Sequence, residues 1–407
     1  MKVVGRLFLV VLMGVTSAQA EQASQGHRLT LQSALDLAEK QNLDLAAARQ
    51  RRAVALAGVR IARQRPNPSV AFTALRDEPH EGVFFDQPVE LGFKRRHRIE
   101  VAQQEGALTE LDIAALDRRV RRNVREAYYT FAFARAESER RDRVLKLAQR
   151  LKQIAQERYQ AGAVAELEVI QADLEVSRAE TGFHVAQQQE KVSLSELNAL
   201  LNEPAQTAWD LAGSLEDLPL PMELGDLIQR AGGANPELQR LEQEQKVEDR
   251  RRALLKAERI PNLDLEFGTD FNSPHDFAVG PRSQVMMTLP IFSRNQGEIA
   301  QSLANQRVLE AESVATKRAV AGRVEAAYYD LSARLGQVEI YRQTLLPSAQ
   351  RLESMVEESY RAGKSNILTV LDAQRNVQQV EREYLDALLA VQTAFAGLEE
   401  TVGVPLQ

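Results

Sequence analysis

The chain has 407 residues, a net charge of −6 at pH 7 and 57 acidic against 51 basic side chains, and this balance argues against a nucleic-acid partner. It contains no cysteine, so neither a disulfide nor a lipid anchor through an N-terminal cysteine is expected. After residue 20, no run approaches the ~18 apolar residues that a membrane-spanning helix needs.

The first twenty residues have the pattern of a secretory signal peptide. Lys2 and Arg6 form a basic start, an apolar run follows, and "AQA" at 18–20 is a small-residue cleavage site. The pattern predicts a signal peptide over 1–20 and a mature chain that begins near Glu21. A secreted chain without a spanning helix is expected in the periplasm, outside the cell, or in an outer membrane that it crosses as β-strands.

Two stretches of the chain repeat one glycine-centred pattern. "ERYQAGAVAELEVIQA" at 157–172 and "ESYRAGKSNILTVLDA" at 358–373 share seven of sixteen residues at a constant offset of 201. Prolines, which mark element boundaries, also recur in matched pairs. The pairs are Pro66 with Pro261, Pro88 with Pro290 and Pro204 with Pro405. The sequence therefore predicts a tandem duplication, with one repeat over 21–215 and the second over 216–407.

Each repeat is predicted to contain one very long helix. In the first repeat this helix runs from about Lys94 to Gln160, and at 1.5 Å per residue it would be about 100 Å long. Shorter helices are predicted near 30–64 and 164–201, stacked end to end beside the long one. A hairpin would close this unit at one end and a tight turn at the other.

Four segments alternate apolar and polar residues with the period of a β-strand. They are 69–75, 83–91, 263–271 and 284–292. In "LDLEFGTDF" the apolar side chains occupy one face, and Asp264, Glu266 and Asp270 occupy the other. The same alternation would suit a half-buried antiparallel sheet in a soluble protein.

A membrane interpretation of these strands has a strict requirement. Strands cross a bilayer only as closed barrels, and the smallest common barrels have about eight strands. Four strands cannot close, so the chain would have to oligomerise. Its apolar strand faces would then meet lipid, and its acidic side chains would face the barrel lumen. These candidate lumen residues are Asp86, Glu90, Asp264, Glu266 and Asp270.

The whole mature sequence resembles the TolC family of outer-membrane efflux channels. The duplication, "NP" and "PN" before the first strand of each half, "LPIFSRNQGEI" at 289–299 and the two YxxG turns carry the resemblance. It implies a mainly α fold with a long α-helical coiled-coil barrel and four strands per chain, assembled as a trimer with a twelve-stranded β-barrel. It also implies an export duct in the outer membrane that extends into the periplasm and has neither enzymatic activity nor a cofactor.

The resemblance also implies partners and a class of cargo. The partners are two more copies of the chain, a periplasmic adaptor (membrane fusion protein), an inner-membrane resistance-nodulation-division pump and outer-membrane lipid. "ELGFKR" at 90–95 is similar to the ELGGKR segment of the cobalt-zinc-cadmium resistance subgroup, with Phe93 in place of the second glycine. Heavy-metal cations are therefore the expected cargo, and small organic compounds are the alternative.

The two glycine turns are expected at the periplasmic tip. Each turn follows a tyrosine, and a glycine there permits the left-handed conformation that ends a helix. The resemblance implies that the adaptor docks on these turns, at Tyr159, Gly162, Tyr360 and Gly363.

The family's periplasmic gate falls on three positions of this sequence, Glu168, Tyr360 and Asp372. Where the best-known gate has an arginine and a second aspartate, this chain has Ser365 and Thr369. A gate held by fewer polar links, and therefore a weaker gate, is expected.

Two further sets of residues have competing interpretations. Lys94, Arg95, Arg96 and Arg98 form a basic collar where a strand becomes the long helix. The collar could bind phosphates at the membrane interface or be solvated. His80 and His275, in the predicted hairpin loops, lack the spacing of metal ligands, so no metal site is expected.

Two other classes of protein remain as alternatives. A periplasmic adaptor would need lipoyl-like β segments and an anchor, and neither is visible. A secreted enzyme would need a catalytic cluster, and the chain contains no HExxH, phosphate loop or nucleophile elbow.

Overall fold

The structure is a computed structural model that describes residues 27–77, 79–273 and 277–406. The predicted signal peptide, 1–20, and His275 lie outside these residues. Nine α-helices occur in the described part of the chain: α1 (Leu31–Gln41), α2 (Leu43–Ala62), α3 (Lys94–Gln160), α4 (Glu166–Leu201), α5 (Leu224–Ala234), α6 (Pro236–Ala257), α7 (Gln296–Ile340), α8 (Leu346–Arg361) and α9 (Ile367–Val402). Six strands occur there too: β1 (His27–Leu29), β2 (Ser69–Ala74), β3 (Glu81–Val89), β4 (Trp209–Leu211), β5 (Leu263–Ser273) and β6 (Phe277–Met287).

Both halves of the chain follow one plan of two short helices, a β-hairpin, a long helix and a returning helix. The long first-half helix is confirmed, because α3 runs without interruption over 67 residues and is about 100 Å long. The predicted helix over 30–64 is divided at Asn42 into α1 and α2. The boundary predicted between residues 215 and 216 falls in the segment between β4 and α5.

The corresponding long helix of the second half is interrupted. α7 and α8 are joined by a π-helical segment, Tyr341–Leu345, and Pro347 follows in the first turn of α8. A proline inside a helix removes a hydrogen-bond donor and crowds the preceding turn, and the π-helical segment occupies the residues just before Pro347. The long helix of the second half is therefore interrupted between α7 and α8, whereas α3 in the first half is continuous.

Four of the strands form one antiparallel sheet in the order β2-β3-β5-β6. The strand predicted at 284–292 is wrong in its bounds, because β6 begins at Phe277 and ends at Met287. Pro281 lies inside β6, and proline is tolerated there because β6 is an edge strand of the chain's sheet. The segment 83–91 is likewise shifted, since β3 ends at Val89.

A second, parallel sheet joins β1 to β4, and sequence reasoning missed it. His27 pairs with Trp209, and Leu29 pairs with Leu211. Strands of three residues are too short to show alternation. The Tyr128 hydroxyl reinforces this junction, because it donates to the Leu29 carbonyl and accepts from the Gly213 N–H, both at 3.2 Å.

The main apolar core lies around this junction, where α1, α3, α5, α7 and α9 converge. Farther along α3, a buried charged cluster fixes α3 against α9. Glu137 accepts a bidentate pair of hydrogen bonds from Arg140, at 2.7 and 2.8 Å, and one from Arg141 at 2.8 Å. Arg382 of α9 approaches Glu137 to 3.4 Å. Burial alone would raise the pKa of Glu137, but the arginine hydrogen bonds hold the pKa below its ordinary value.

Two asparagines tie the start of each half to its end. The Asn42 side chain accepts from the Leu45 N–H at the start of α2 and donates to the Leu200 carbonyl at 3.1 Å. In the second half, Asn235 accepts from the Glu237 N–H and donates to the Thr401 carbonyl at 2.7 Å. One side chain thus caps a helix and closes its repeat.

We expect Asn235→Ala to cost about 2 kcal/mol, because it removes a helix cap worth ~1 kcal/mol and leaves a partly buried carbonyl unpaired at a similar cost. Asn235→Asp keeps the cap but places a carboxylate oxygen against the Thr401 carbonyl, and two acceptors cannot form a hydrogen bond, so this variant should also lower the unfolding midpoint. Thermal unfolding of the purified protein in detergent measures both. The exposed helical residue Asn123 offers a control, since Asn123→Ala should leave the midpoint unchanged; equal midpoints for all three variants would contradict the assignment.

Candidate functional site

The four-stranded sheet has one acidic face. Asp86 lies opposite Glu266, Asp264 lies opposite Pro88, and Asp270 lies opposite Gly82. Directly paired residues of an antiparallel sheet share a face, so four of the five candidate lumen acids lie on the same side of the sheet. The sheet brings together residues that are about 180 positions apart in sequence.

The opposite face of the sheet is apolar and exposed. Its large hydrophobic side chains lie on all four strands, at Val70, Phe72, Phe85, Phe267, Val279, Val285 and Met287. An apolar surface of this extent on a soluble protein would mark a binding surface. The sheet is therefore two-faced in the sense that the alternation predicts.

The acidic face has a packed centre. Phe84 is buried beside Gly268, and a side chain at position 268 would collide with the Phe84 ring. The guanidinium of Arg282 lies over the same ring, 5.3 Å from its centroid. Glycine at 268 thus leaves room for one aromatic ring among the acids.

Glu90, the fifth candidate lumen acid, lies after the last residue of β3 rather than within it. Its carboxylate pairs with Arg98 of α3, with distances of 2.6 and 3.1 Å. The extended segment at 83–91 ends earlier than its alternation suggested, because the chain turns through Gly92 and Phe93, both with positive φ. Glu90 therefore anchors the strand-to-helix turn.

The basic collar at the start of α3 is largely engaged within the chain. Lys94 is buried and donates to the Asn262 side chain at 2.5 Å. Arg95 donates to the Arg63 carbonyl at 2.7 Å, and Arg98 donates to the Ala62 and Gln64 carbonyls. These carbonyls belong to the C-terminal end of α2, where cations are favourable.

Arg96 differs from the other three collar residues. Its side chain is exposed and pairs only with Glu100, one turn along α3. Cations at a helix N-terminus are disfavoured by the helix dipole, and for Arg95 and Arg98 the carbonyls at the end of α2 offset this cost. Among the four collar residues, Arg96 is the one with a mostly exposed side chain, at 74%.

The two glycine turns have the same geometry. Gly162 has φ +69° and Gly363 has φ +71°. Each glycine N–H donates to the carbonyl of the preceding tyrosine, Tyr159 or Tyr360, at 2.9 and 3.0 Å. The next residue in each turn donates five positions back, which is the Schellman arrangement that ends a helix. Both predicted turns therefore occur, at the junctions α3–α4 and α8–α9.

Two of the three gate candidates are brought together. The Tyr360 hydroxyl donates to Glu168 at 3.4 Å, and its ring is buried. Arg158 lies over that ring, 4.7 Å from its centroid, and donates to the Tyr360 carbonyl. Burial and the Glu168 charge raise the pKa of Tyr360. Sequence reasoning missed Arg158, which provides the cation that Ser365 does not.

Asp372 lies elsewhere. Its carboxylate is exposed and pairs with Arg375, one turn along α9, at 3.3 Å. Arg375 in turn approaches Glu175 of α4 to 3.7 Å. Asp372 therefore belongs to an exposed ion-pair chain rather than to the buried Tyr360 contact.

Two wider searches cover the described ranges. None of the helices in those ranges carries an apolar stretch long enough to cross a membrane. Nowhere in the same ranges do three or more His, Cys, Asp or Glu side chains gather in a way that could hold a metal ion.

The sequence is similar to proteins of one known family. Residues 34–203 and 227–404 match the model of the outer membrane efflux protein family. The cobalt-zinc-cadmium resistance protein CzcC of Cupriavidus metallidurans is 28% identical over 384 residues, which cover 92% of this chain and 90% of CzcC. The toluene efflux pump outer membrane protein TtgC of Pseudomonas putida is 24% identical over 298 residues, 69% of this chain and 60% of TtgC.

A solved structure supports the same fold. The crystal structure of CusC superposes with a TM-score of 0.74 at 18% identity and covers 92% of each chain. This similarity confirms the mainly α fold with long helices and a small sheet that the sequence predicts. Because the family model matches most of the chain in two segments, this protein belongs to the outer membrane efflux protein family.

Proposed function

We propose that the chain is one subunit of a homotrimeric channel in the outer membrane, which passively conducts substrate from a pump and a periplasmic adaptor to the cell exterior. The observation that carries the proposal is the two-faced sheet at one end of rods about 100 Å long. Members of this family are channels and not enzymes, so no chemical step is assigned.

The sheet requires partners because it has two edges. In an apolar environment every backbone N–H and C=O must be paired, which an open sheet cannot achieve. Three copies of four strands give a closed barrel of twelve, within the range of known outer-membrane barrels. The exposed apolar face would then meet lipid, and the acidic face would line the lumen.

The long helices give the channel its reach. At the end remote from the sheet, α3 and α8 end in the paired glycine turns, which the adaptor would contact at Tyr159, Gly162, Tyr360 and Gly363. The channel thus extends from the outer membrane into the periplasm. A resistance-nodulation-division pump in the inner membrane would supply the cargo through the adaptor.

Divalent heavy-metal cations are the cargo that we propose. The acids on the lumen face attract cations, and the relative CzcC is named for resistance to cobalt, zinc and cadmium. Small organic compounds are the second candidate, since the relative TtgC is named as part of a toluene efflux pump. At the membrane interface, Arg96 is the collar residue positioned to meet lipid phosphate.

We expect Asp264→Asn with Glu266→Gln to lower the preference of the channel for cations over anions several-fold. Each lost charge removes about 1 kcal/mol of short-range attraction in water, and three copies act together. Reversal potentials in planar bilayers under a salt gradient measure this preference. Asp226→Asn, on the short helix α5 outside the sheet, is the matched control and should leave the potential unchanged.

We expect Glu168→Ala to raise the open probability of single channels, because it removes the acceptor of the buried Tyr360 hydroxyl. Glu168→Gln retains an acceptor and should behave nearly like the native channel. Asp372→Ala removes only an exposed ion pair, so its effect should be confined to cation preference. If Glu168→Ala and Glu168→Gln conduct alike and both match the native channel, Glu168 has no part in a gate.

We expect deletion of the gene to lower the concentrations of zinc, cobalt and cadmium that the cells tolerate, and expression of the intact chain to restore them. The double variant Asp264→Asn, Glu266→Gln should restore tolerance only in part. Growth in parallel series of metals and organic solvents measures the cargo class. If the deletion strain is sensitive to organic solvents and not to metals, the cargo is organic compounds and the metal proposal is wrong.

A further inference from the structure

Arg282 is the only basic residue in the described strands β2, β3, β5 and β6. It pairs with Gly268 of β5, and Gly268 pairs in turn with Phe84 of β3. Directly paired residues share a face of an antiparallel sheet, so Arg282 lies on the acidic face with Asp86 and the other candidate lumen acids of the strands. Each chain therefore places one cation among the carboxylates of this face.

The Phe84 ring fixes the position of the Arg282 guanidinium. A Cβ added at Gly268 would collide with one corner of this ring, and a Cβ added at Gly82 would lie 2.7 Å from the opposite corner. The ring therefore lies flat across the two glycines. Because Gly268 has no side chain, Arg282 reaches over it to 5.3 Å from the ring centroid, and it also donates to the Gln284 side chain at 3.4 Å. These two contacts keep the charge on the acidic face.

Acids of this face lie on both sides of Arg282. Successive residues on one face of a strand are about 7 Å apart, so each set of directly paired residues forms a row across the sheet. Toward the hairpin loops, the next row contains Asp270. Toward the helices, the next row contains Asp86 and Glu266, and the row after it contains Asp264. The charges are therefore unequal on the two sides of the guanidinium, with most of the carboxylates on the helix side.

We propose that Arg282 determines how strongly the lumen prefers cations, because it interrupts the acidic surface with a positive band. The proposal rests on the proposed homotrimer, in which three copies of Arg282 lie at one level of the barrel. Each chain contributes three strand carboxylates on the helix side of this level and one on the loop side. A cation that moves toward the exterior therefore leaves a strongly acidic region before it crosses the band.

A positive band in this position favours release of the cargo. A channel must attract an ion strongly enough for it to enter and weakly enough for it to leave. Unbroken rows of carboxylates would retain divalent cations, since each added negative charge strengthens the attraction. The screening length is about 10 Å in 0.1 M salt, which exceeds the ~7 Å between rows. The field of Arg282 therefore offsets part of the field of the neighbouring acids.

Substitution of Arg282 tests the proposal. In about 0.1 M potassium chloride we expect Arg282→Gln to raise the preference for cations over anions several-fold, a change opposite in sign to that expected for Asp264→Asn with Glu266→Gln. Arg282→Lys keeps the charge and should behave like the native channel. Arg230 is exposed on α5, outside the sheet, so Arg230→Gln is the matched control and should leave the preference unchanged. Reversal potentials in planar bilayers, under gradients of potassium chloride and separately of cobalt chloride, measure the effect.

Chemical modification tests the same charge in a channel that has already folded. The native chain has no cysteine, so Arg282→Cys introduces one thiol per chain. We expect a methanethiosulfonate that carries a trimethylammonium group to restore the native preference, and one that carries a sulfonate to raise the preference for cations further. Val285 lies on the same strand but on the apolar face and is 65% exposed. Val285→Cys should respond to neither reagent, because its side chain would face lipid.

Three outcomes would contradict the positive band. If the native protein conducts and Arg282→Gln keeps the native preference, or if the Arg282→Cys channel responds to neither reagent, the band is wrong and the proposed channel stands. In 1 M salt the screening length falls to about 3 Å, so the difference between the native and Arg282→Gln channels should nearly vanish. A difference of undiminished size would exclude an electrostatic effect. If the native chain forms no conducting trimer, the proposed function fails and the positive band fails with it.

Discussion

The two edges of one small sheet constrain the rest of this structure. β2 and β6 are the outer strands of the four that each chain contributes, and each presents backbone donors and acceptors along its free side. In water such an edge invites aggregation, and in hydrocarbon it is prohibitive. Pairing the β2 edge of one copy with the β6 edge of another removes both edges. In the homotrimer that we propose, the apolar face would meet lipid and the acidic face would line the lumen above the long helices.

The duplication explains why the two halves of this long chain use the same structural elements and contacts. Each half repeats the same sequence of elements, the same asparagine tie between its start and its end, and the same Schellman turn at the tip.

The role of the basic residues at the start of α3 depends on the groups that surround them in the fold. Three cations at the start of α3 would be unfavourable beside that helix's own N-terminal dipole. Arg95 and Arg98 are accommodated because they donate to carbonyls at the C-terminal end of α2, and Arg98 also pairs with the Glu90 carboxylate. Lys94 is accommodated by the Asn262 side chain. The sequence pattern suggested a lipid-binding collar. Within the chain, three of its residues instead connect α3 to the end of α2 and to segments next to the sheet: Lys94, Arg95 and Arg98.

Features that depend on local pattern could be predicted from the sequence. Helical periodicity without proline gave α3, alternation gave the two faces of the sheet, and the repeated glycines gave the two turns, because each follows from backbone geometry within a few residues. Three features could not be predicted in this way: the contact of Tyr360 with Arg158, the position of Glu90 beyond the end of β3, and the bounds of β6. The Tyr360–Arg158 contact joins residues that are 202 positions apart, and no local periodicity encodes such a meeting. The end of β3 depends on the turn through Gly92 and Phe93, and the bounds of β6 depend on its pairing with β5.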